Sequence, residues 1–334
     1  SDDMRFFPMN RLSQFLASRL RFQLSSLSLA WFLVAGVLSA QTQVLFVSEE
    51  GAGRVSKVDA SGTVTTFASG LDRPFGLAVD SGGNLFVLSQ GTGYNGTIKK
   101  FSAGGSFLGT IATGVTGGEG LAFDASDNLY VATNNGSTGS ILKITPGLSV
   151  STFATGFATP AGLAFDSAGD LWMLDYGINP YGHGGLYQIS PAGVVNTFIN
   201  PALGLNGPLG IAIGPDGDFY IAINTTSYLT RIYRSNAYVD SLTHVSNPYG
   251  TAINAAGEVF ITDGSGNIRK LIQVEGSEGF YDSTEIFASG LTSPTYLVFA
   301  SAIPEPSAYA AVAGLAGLVM AVWRRRVAAG QSVG

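Results

Sequence analysis

The sequence predicts an all-β protein, a six-bladed β-propeller whose last blade is built from both ends of the chain. Glycine is frequent, at 45 of 334 residues, and charged residues make up only 12%; this mixture favours many short strands joined by tight turns. Variants of the motif GLAFD recur every 40 to 48 residues, a spacing typical of propeller blades. The segment FASGL occurs near both ends, beginning at Phe67 and at Phe287.

Each repeat is predicted to form one four-stranded blade. Strand A carries the motif, an Asp- and Gly-rich turn follows, and then come strand B, a variable loop, strand C, a second turn and strand D. Strand A begins at five glycines: Gly76, Gly120, Gly162, Gly210 and Gly250.

Strand C occurs six times, whereas the form of strand A that begins with glycine occurs five times. This difference predicts how the ring closes. The six copies of strand C end at Val58, Phe101, Ile144, Ile189, Ser235 and Leu271. The sixth strand A is YLVFA from Tyr296, near the end of the chain, and the strand B that it lacks is VLFVSE from Val44. Pairing the two closes the propeller and removes exposed sheet edges.

Residues 1–40 are predicted to be a signal peptide with a short apolar helix. Four arginines precede the apolar run 27–38, and Leu-Ser-Ala ending at Ala40 supplies the small residue that signal peptidase needs. The run has about twelve residues, whereas roughly 20 are needed to span a bilayer. The residues before Met4 are excluded from the structural reading. The mature chain is expected to begin near Gln41, with the propeller covering residues 41–303. It has no cysteine, so disulfides and thiolate chemistry are excluded.

The register resembles that of a known repeat family. PFGLAVDSGGNLFV, together with GTIKKF as strand C, resembles NHL repeats, and the ring resembles propellers of the gluconolactonase and strictosidine-synthase types. The resemblance covers roughly residues 43 to 300. It implies the fold and leaves the function open, since this fold hosts hydrolases, lyases, RNA binders and adhesive modules.

The resemblance also indicates where chemistry belongs, at the channel mouth just before each strand A. The gluconolactonase-type family places acidic and amide metal ligands there. The corresponding residues here are Phe75, Glu119, Ala161, Leu209, Tyr249 and Thr295. Only Glu119 suits a metal, and calcium takes six or more oxygen ligands. We therefore expect no metal, no cofactor and no catalytic residue. Glu119 is then either a lone ligand or acid at the channel, or a turn carboxylate facing solvent, which we favour.

Polar and aromatic loops between strands B and C gather on the same face. Such loops suit sugars or polar peptides, although Gly- and Asn-rich loops also need no function at all. Both histidines, His183 and His244, lack a neighbouring His or Cys and are expected to be surface residues. No GxSxG segment supports nucleophilic catalysis. The candidate ligand-binding residues are Glu119, Tyr94, Asn134, Asp175, Tyr176, Tyr181, His183, Tyr228 and Tyr249.

The opposite face receives the acidic turns between strands A and B. Solvated Asx turns are the expected structure there, with loose binding of divalent cations as the alternative. Residues 41–303 contain 10 basic and 20 acidic residues, a net charge near minus ten. A phosphate-binding surface needs a basic face, so nucleic acid is excluded as a partner.

The C-terminal segment carries a second resemblance. Pro304, Glu305 and Pro306 precede seventeen mostly apolar residues and the cluster Arg324, Arg325 and Arg326, which resembles the PEP-CTERM sorting signal of exopolysaccharide-producing Gram-negative bacteria. The resemblance implies an exosortase-type partner and a transmembrane helix within residues 304–326, followed by a tail, 327–334. The arginines would hold one end in the cytoplasm. A plain C-terminal anchor is the alternative.

These features predict an exported protein that inserts transiently in the inner membrane and then acts at the cell surface or in the matrix. It would be a binding module for an extracellular polysaccharide or another surface protein. The alternative is a lactonase- or lyase-type enzyme with its active site at the channel mouth. An enzyme needs a convergent polar cluster there, whereas a binder needs only the outer loops.

Overall fold

A computed structural model describes residues 43–135, 138–177, 183–200, 205–272 and 283–301. The predicted signal peptide, the sorting segment and Tyr181 lie outside the described residues, and so do the side chains of Tyr94 and His183. In the described part of the chain, no helix has the length and apolar character needed to cross a membrane.

The described strands form six sheets, each of them one blade with strand A innermost. Blade one contains β4 (Pro74–Val79), β5 (Leu85–Ser89), β6 (Asn95–Phe101) and β7 (Phe107–Thr116). Blade two contains β8 (Leu121–Phe123), β9 (Leu129–Asn134), β10 (Gly139–Ile144) and β11 (Val150–Phe157). Blade three contains β12 (Pro160–Phe165), β13 (Leu171–Asp175), β14 (His183–Ile189) and β15 (Val195–Ile199), and the short β16 (Leu205–Asn206) pairs with β14.

The remaining blades follow the same order. Blade four contains β17 (Pro208–Ile213), β18 (Phe219–Ile223), β19 (Tyr228–Ile232) and β20 (Val239–His244). Blade five contains β21 (Thr251–Ile253), β22 (Val259–Thr262), β23 (Ile268–Ile272) and β24 (Ser283–Ala288). Blade six joins β25 (Pro294–Ser301) to β1 (Gln43–Glu49), β2 (Arg54–Val58) and β3 (Val64–Ser69). The predicted all-β six-bladed propeller is confirmed.

Blade six closes the ring as predicted. Strand β25 pairs antiparallel with β1, with Gln43 opposite Ser301 and Leu45 opposite Phe299. The carboxylate of Glu49, which is fully buried, accepts hydrogen bonds from the Thr292 backbone N–H at 2.7 Å and from the Arg54 guanidinium. Contacts between residues from opposite ends of the sequence therefore hold the ring shut.

Apolar side chains fill every interface between neighbouring blades. Six buried clusters account for the described core, one at each interface. The strands B are buried along almost their whole length, as in Leu85–Ser89, because each packs against a blade on both faces. Since the chain has no disulfide, this burial supplies most of the stability.

Glycine in the repeat motif has a structural reason. A Cβ at Gly76 would overlap the Glu119 carbonyl of the next blade, and the glycine that begins each of the next four motifs meets a carbonyl in the same way. Blade six has Tyr296 at this position, and its side chain is buried. The inner strands therefore pack tightly around the channel, with one departure at blade six.

We call the end of the blades that carries the loops between strands B and C the upper face. The lower face carries the turns between A and B and between C and D.

Candidate functional site

Glu119 lies at the upper end of blade two, directly before β8. Its backbone N–H donates to the Ala132 carbonyl at 3.0 Å. A Cβ at Gly118 would lie 2.8 Å from a methyl of Leu88, and one at Gly120 would overlap the Ala161 carbonyl. The segment GGEG therefore needs its flanking glycines to place this glutamate at the channel mouth.

The carboxylate of Glu119 is held by two uncharged donors from other blades. The Tyr249 hydroxyl donates to Oε2 at 3.0 Å, and the Gln90 side-chain amide donates to Oε1 at 2.9 Å. Gln90 comes from blade one and Tyr249 from blade five. Blades two and five are three apart in a ring of six, so the bond between Glu119 and Tyr249 crosses the channel axis.

Aromatic rings surround this bond. Phe75 and Tyr296 each meet the Tyr249 ring edge to face, with centroids 5.6 and 5.5 Å apart. The Tyr296 hydroxyl is buried and is one of two buried side-chain polar atoms in the described residues without a hydrogen-bond partner. It borders a cavity of about 250 Å³ that occupies the channel below Glu119. Glu119 and Tyr249 keep part of their surface exposed, although protein atoms surround both side chains closely enough to desolvate them.

Burial raises the pKa of Glu119 to about 7, against the opposing effect of the hydrogen bonds from Tyr249 and Gln90. The nearby charge of Glu50 raises the pKa further, and that of Arg73 lowers it. Those two residues pair with each other at 2.8 Å. At neutral pH the carboxyl is therefore present in both protonation states, and it either accepts or donates a hydrogen bond or a proton.

A metal centre is not what these residues form. No three His, Cys, Asp or Glu side chains in the described ranges lie close enough together to hold an ion. Phe75, Ala161, Leu209 and Thr295, which share the ring position of Glu119, are all buried.

The sequence predicted Glu119 to be a turn carboxylate facing solvent, and the structure differs. The carboxylate turns into the channel because Tyr249 and Gln90 receive it there. The two candidates Glu119 and Tyr249 are thus brought together. Gln90 and Tyr296 were missed by sequence reasoning, although Tyr296 is visible as the one departure from the repeated glycine.

Asp175, one of the candidate ligand-binding residues, contacts backbone N–H groups of its own chain. It is 5% exposed, and its carboxylate accepts backbone N–H groups of Ala158 at 2.8 Å, Thr159 at 2.7 Å and Gly177 at 3.1 Å. These bonds fix the chain entering strand A of blade three.

The other described candidates lie farther out. Asn134 is partly buried and donates to the Thr159 hydroxyl at 3.3 Å, and Tyr176 is partly exposed. Tyr228 is on β19, two strands from the channel, where its ring meets the exposed His244 edge to face at 5.7 Å. The structure does not bring Tyr228 to the Glu119 cluster.

Several carboxylates on the lower face are paired with cations, which the prediction of solvated turns did not include. Asp80 accepts the Asn84 backbone N–H at 2.8 Å and contacts the Lys100 ammonium at 2.9 Å. Asp218 with Arg231, at 2.7 Å, repeats the arrangement in blade four. The Asx turns form as expected, but strand C supplies cations that neutralise them.

Comparison with known proteins identifies the fold alone. No protein-family model matches the chain, and no curated protein matches it significantly. A crystal structure of a nidogen/laminin complex contains a chain 14% identical, with a TM-score of 0.65, over 78% of this chain and 99% of that one. A streptogramin B lyase is 16% identical, with a TM-score of 0.54, over 77% and 84%. Virginiamycin B lyase from Staphylococcus aureus is also 16% identical, with a TM-score of 0.53, over 79% and 89%. The propeller is therefore shared by a binding complex and by lyases.

Proposed function

We propose that this chain is an exported binding module of the cell surface or extracellular matrix that takes its ligand at the upper mouth of the central channel. The observation that carries the proposal is the hydrogen bond between Glu119 and Tyr249 across the channel axis. It places a carboxyl and a phenol together at the channel mouth, where both are partly exposed and where Phe75 and Tyr296 pack against the phenol ring.

The ligand that suits this mouth is a neutral polysaccharide. Carboxylate and phenol groups bind sugar hydroxyls, and the partly exposed Tyr249 ring adds apolar surface at the mouth. The net charge near minus ten of residues 41–303 opposes an acidic polymer. Another surface protein that presents a polar side chain to the mouth is the competing ligand.

The test is affinity electrophoresis against neutral, acidic and basic polysaccharides. Glu119→Gln and Tyr249→Phe should each weaken binding of a neutral polymer at least tenfold, because the first replaces a carboxylate oxygen by an amide donor and the second removes the phenolic hydroxyl. Glu285→Gln, an exposed change on the outer strand β24, is the control of equal charge and should bind normally. Normal binding by both mouth variants would refute the proposal.

One observation favours a second function, an acid–base enzyme of the lactonase or lyase type. The pKa of Glu119 is raised by burial to about 7, the range that suits a general acid or base, and two of the similar structures are named as lyases. In this case Glu119→Gln abolishes turnover but leaves binding intact, and the rate follows one ionisation near pH 7.

We also propose that the chain is exported and processed at its C-terminus. The support is the order of the signal-peptide features at the start and the Pro-Glu-Pro, apolar and arginine segments at the end. Mass spectrometry of surface protein from the native host should find a C-terminus between Pro304 and Ser307. An intact 324–326 cluster in that fraction would contradict processing.

A further inference from the structure

Exposed apolar side chains are concentrated on the outer strands. Of the ten large apolar side chains that are strongly exposed in the described residues, nine lie on a strand D or in the turn that enters it. Seven of these, at the lower ends of blades one to four, form what we call the lower rim: Phe107, Leu148, Val150, Val194, Val195, Tyr238 and Val239.

The lower rim follows the repeat. Phe107, Val150, Val195 and Val239 are each the first residue of strand D in four consecutive blades, and they are 57%, 57%, 37% and 41% exposed. Equivalent positions in a ring of similar blades lie at one level along its axis. A flat surface beneath the ring therefore touches all four side chains together, which a small globular partner does not.

The backbone conformation of Leu148 indicates that the exposed apolar side chains of the lower rim serve a purpose. The φ angle of Leu148 is +64°, in a turn closed by its N–H to the Thr145 carbonyl at 2.8 Å. The matching turns of three other blades have Gly62, Gly105 and Gly193 there, with φ between 80° and 88°. A leucine is strained in this conformation, and its side chain is 53% exposed. Strain combined with exposure points to a contact outside the chain.

The chain itself indicates what lies beneath the lower face. Strand β25 runs down to Ser301, opposite Gln43, so both ends of the described ring emerge at the lower face. Only five residues, 302–306, separate Ser301 from the seventeen residues 307–323, which are mostly apolar and precede three arginines. Five residues reach about 18 Å at most. An apolar segment placed in a bilayer through so short a connection holds the lower face near the lipid.

Ion pairs reduce the negative charge of the lower face. The turn carboxylates of Asp80, Asp218 and Glu258 are paired with Lys100, Arg231 and Lys270.

We propose that the lower rim docks on the surface of a lipid bilayer, so that the upper face and Glu119 point away from the membrane. Lipid fits the observations better than a second copy of the chain or the chain's own apolar segment. The rim residues of four consecutive blades lie along half of a six-bladed ring, so a straight seventeen-residue helix of about 25 Å cannot follow all four.

The test uses the absence of cysteine to attach single labels to the full chain. Leu148→Cys carries an environment-sensitive fluorophore on the rim, and Thr226→Cys, exposed in the upper loop of blade four, is the matched control. In phosphatidylcholine vesicles, iodide quenching of the label at 148 should fall at least threefold relative to micelles, whereas quenching at 226 stays unchanged. Equal quenching at both sites in vesicles overturns the proposal.

A second copy of the chain or the chain's own apolar segment could cover the lower rim instead of lipid. Either would protect the label at 148 from iodide in micelles, where no vesicles are present. Protection at 148 that grows with protein concentration identifies a second copy, and protection independent of concentration identifies the chain's own segment; either overturns the proposal. A second variant, Leu148→Gly with a label at Val150→Cys, restores the glycine of the sister turns. It should fold normally and lose most of the protection at 150.

Discussion

The carboxylates of the lower face and the carboxyl at the upper channel mouth have opposite environments. For Asp80, burial alone would raise the pKa, but hydrogen bonds from Asn84 and Lys100 outweigh it and hold the pKa below its ordinary value. For Glu119, burial dominates and raises the pKa to about 7, because both of its hydrogen-bond donors are uncharged.

The paired carboxylates stabilise the blades, whereas the carboxyl of Glu119 can exchange a proton or bind a ligand. The paired carboxylates recur with the repeat, and strand C supplies their cations. The equivalent position in blade five is Tyr249, whose hydroxyl is an uncharged donor, and the other four equivalent positions carry no charged side chain, so the repeat gives Glu119 no cationic partner. A titratable group that is buried without a counter-ion is a common mark of a functional site.

Glu49 lies on the upper face, like Glu119, but forms an ion pair, like Asp80. The direction of its pKa shift therefore shows whether the ion pair or the location on the ring determines the shift. Burial would raise its pKa, but hydrogen bonds from Arg54, Ser56 and Thr292 hold it below 4.5. Glu49→Ala should lower the free energy of unfolding by about 4 kcal/mol at pH 7, because it leaves Arg54 and the closing strand without a partner. Urea unfolding followed through the buried Trp172 measures this change.

The pH dependence and a neighbouring control complete that experiment. The pKa of Glu49 is depressed in the folded state, so its stabilisation is present above pH 4.5 and is lost as the pH falls through the folded pKa. Glu50→Ala, at a more exposed pair with Arg73, should cost less than about 1 kcal/mol. Equal losses from the two variants would mean that Glu49 does not clasp the ring.

Glu119→Gln should have the next largest effect on the free energy of unfolding, and it should raise this free energy where Glu49→Ala lowers it. The folded pKa is raised from 4.5 to about 7, so stability is complete below pH 4.5 and falls as the pH rises through 7, by up to about 3 kcal/mol. The variant should equal the parent near pH 4.5 and exceed its stability at pH 8. Glu285→Gln should show no such divergence, and parallel stability curves for Glu119→Gln and the parent would refute desolvation of this carboxyl.

The lower-face pairs should give the smallest effect. Asp80→Asn and Lys100→Met should each cost about 1 kcal/mol, with a coupling energy of about 0.5 kcal/mol between them in a double-mutant cycle, because Lys100 is partly exposed. A coupling above about 2 kcal/mol would show that lower-face pairs hold the ring as strongly as Glu49 does.

The repeat period made the fold predictable, because each strand A and strand C leaves its own signature and the odd copy of YLVFA identifies the closing strand. It also placed Glu119 and Tyr249 on one ring of positions. The repeat period did not show that the side chains of Glu119 and Tyr249 meet across the channel axis. These residues are 130 apart along the sequence, and their contact depends on the number of blades in the ring and on how the blades pack.

The role of Asp175 shows the other limit of sequence reasoning. An Asp before a Gly-rich loop binds either a ligand or the backbone of its own loop, and the same residue types serve both purposes. Only the position of the Ala158 and Thr159 N–H groups decides between them. Tyr296, by contrast, can be seen in the sequence as a tyrosine where the other five repeats have glycine. What this change does could not be predicted, because it depends on how the blades pack.

The most direct test of the account is the titration of Glu119 itself. Carbon-13 NMR of protein labelled at glutamate side-chain carboxyls, with the resonance assigned by its loss in Glu119→Gln, follows this group alone. We expect a midpoint near pH 7, well above the ordinary value of 4.5, because burial without a directly paired cation disfavours the charged form. A midpoint near the ordinary 4.5 would show that the carboxylate is solvated, and would contradict the assignment of the functional site to the channel mouth.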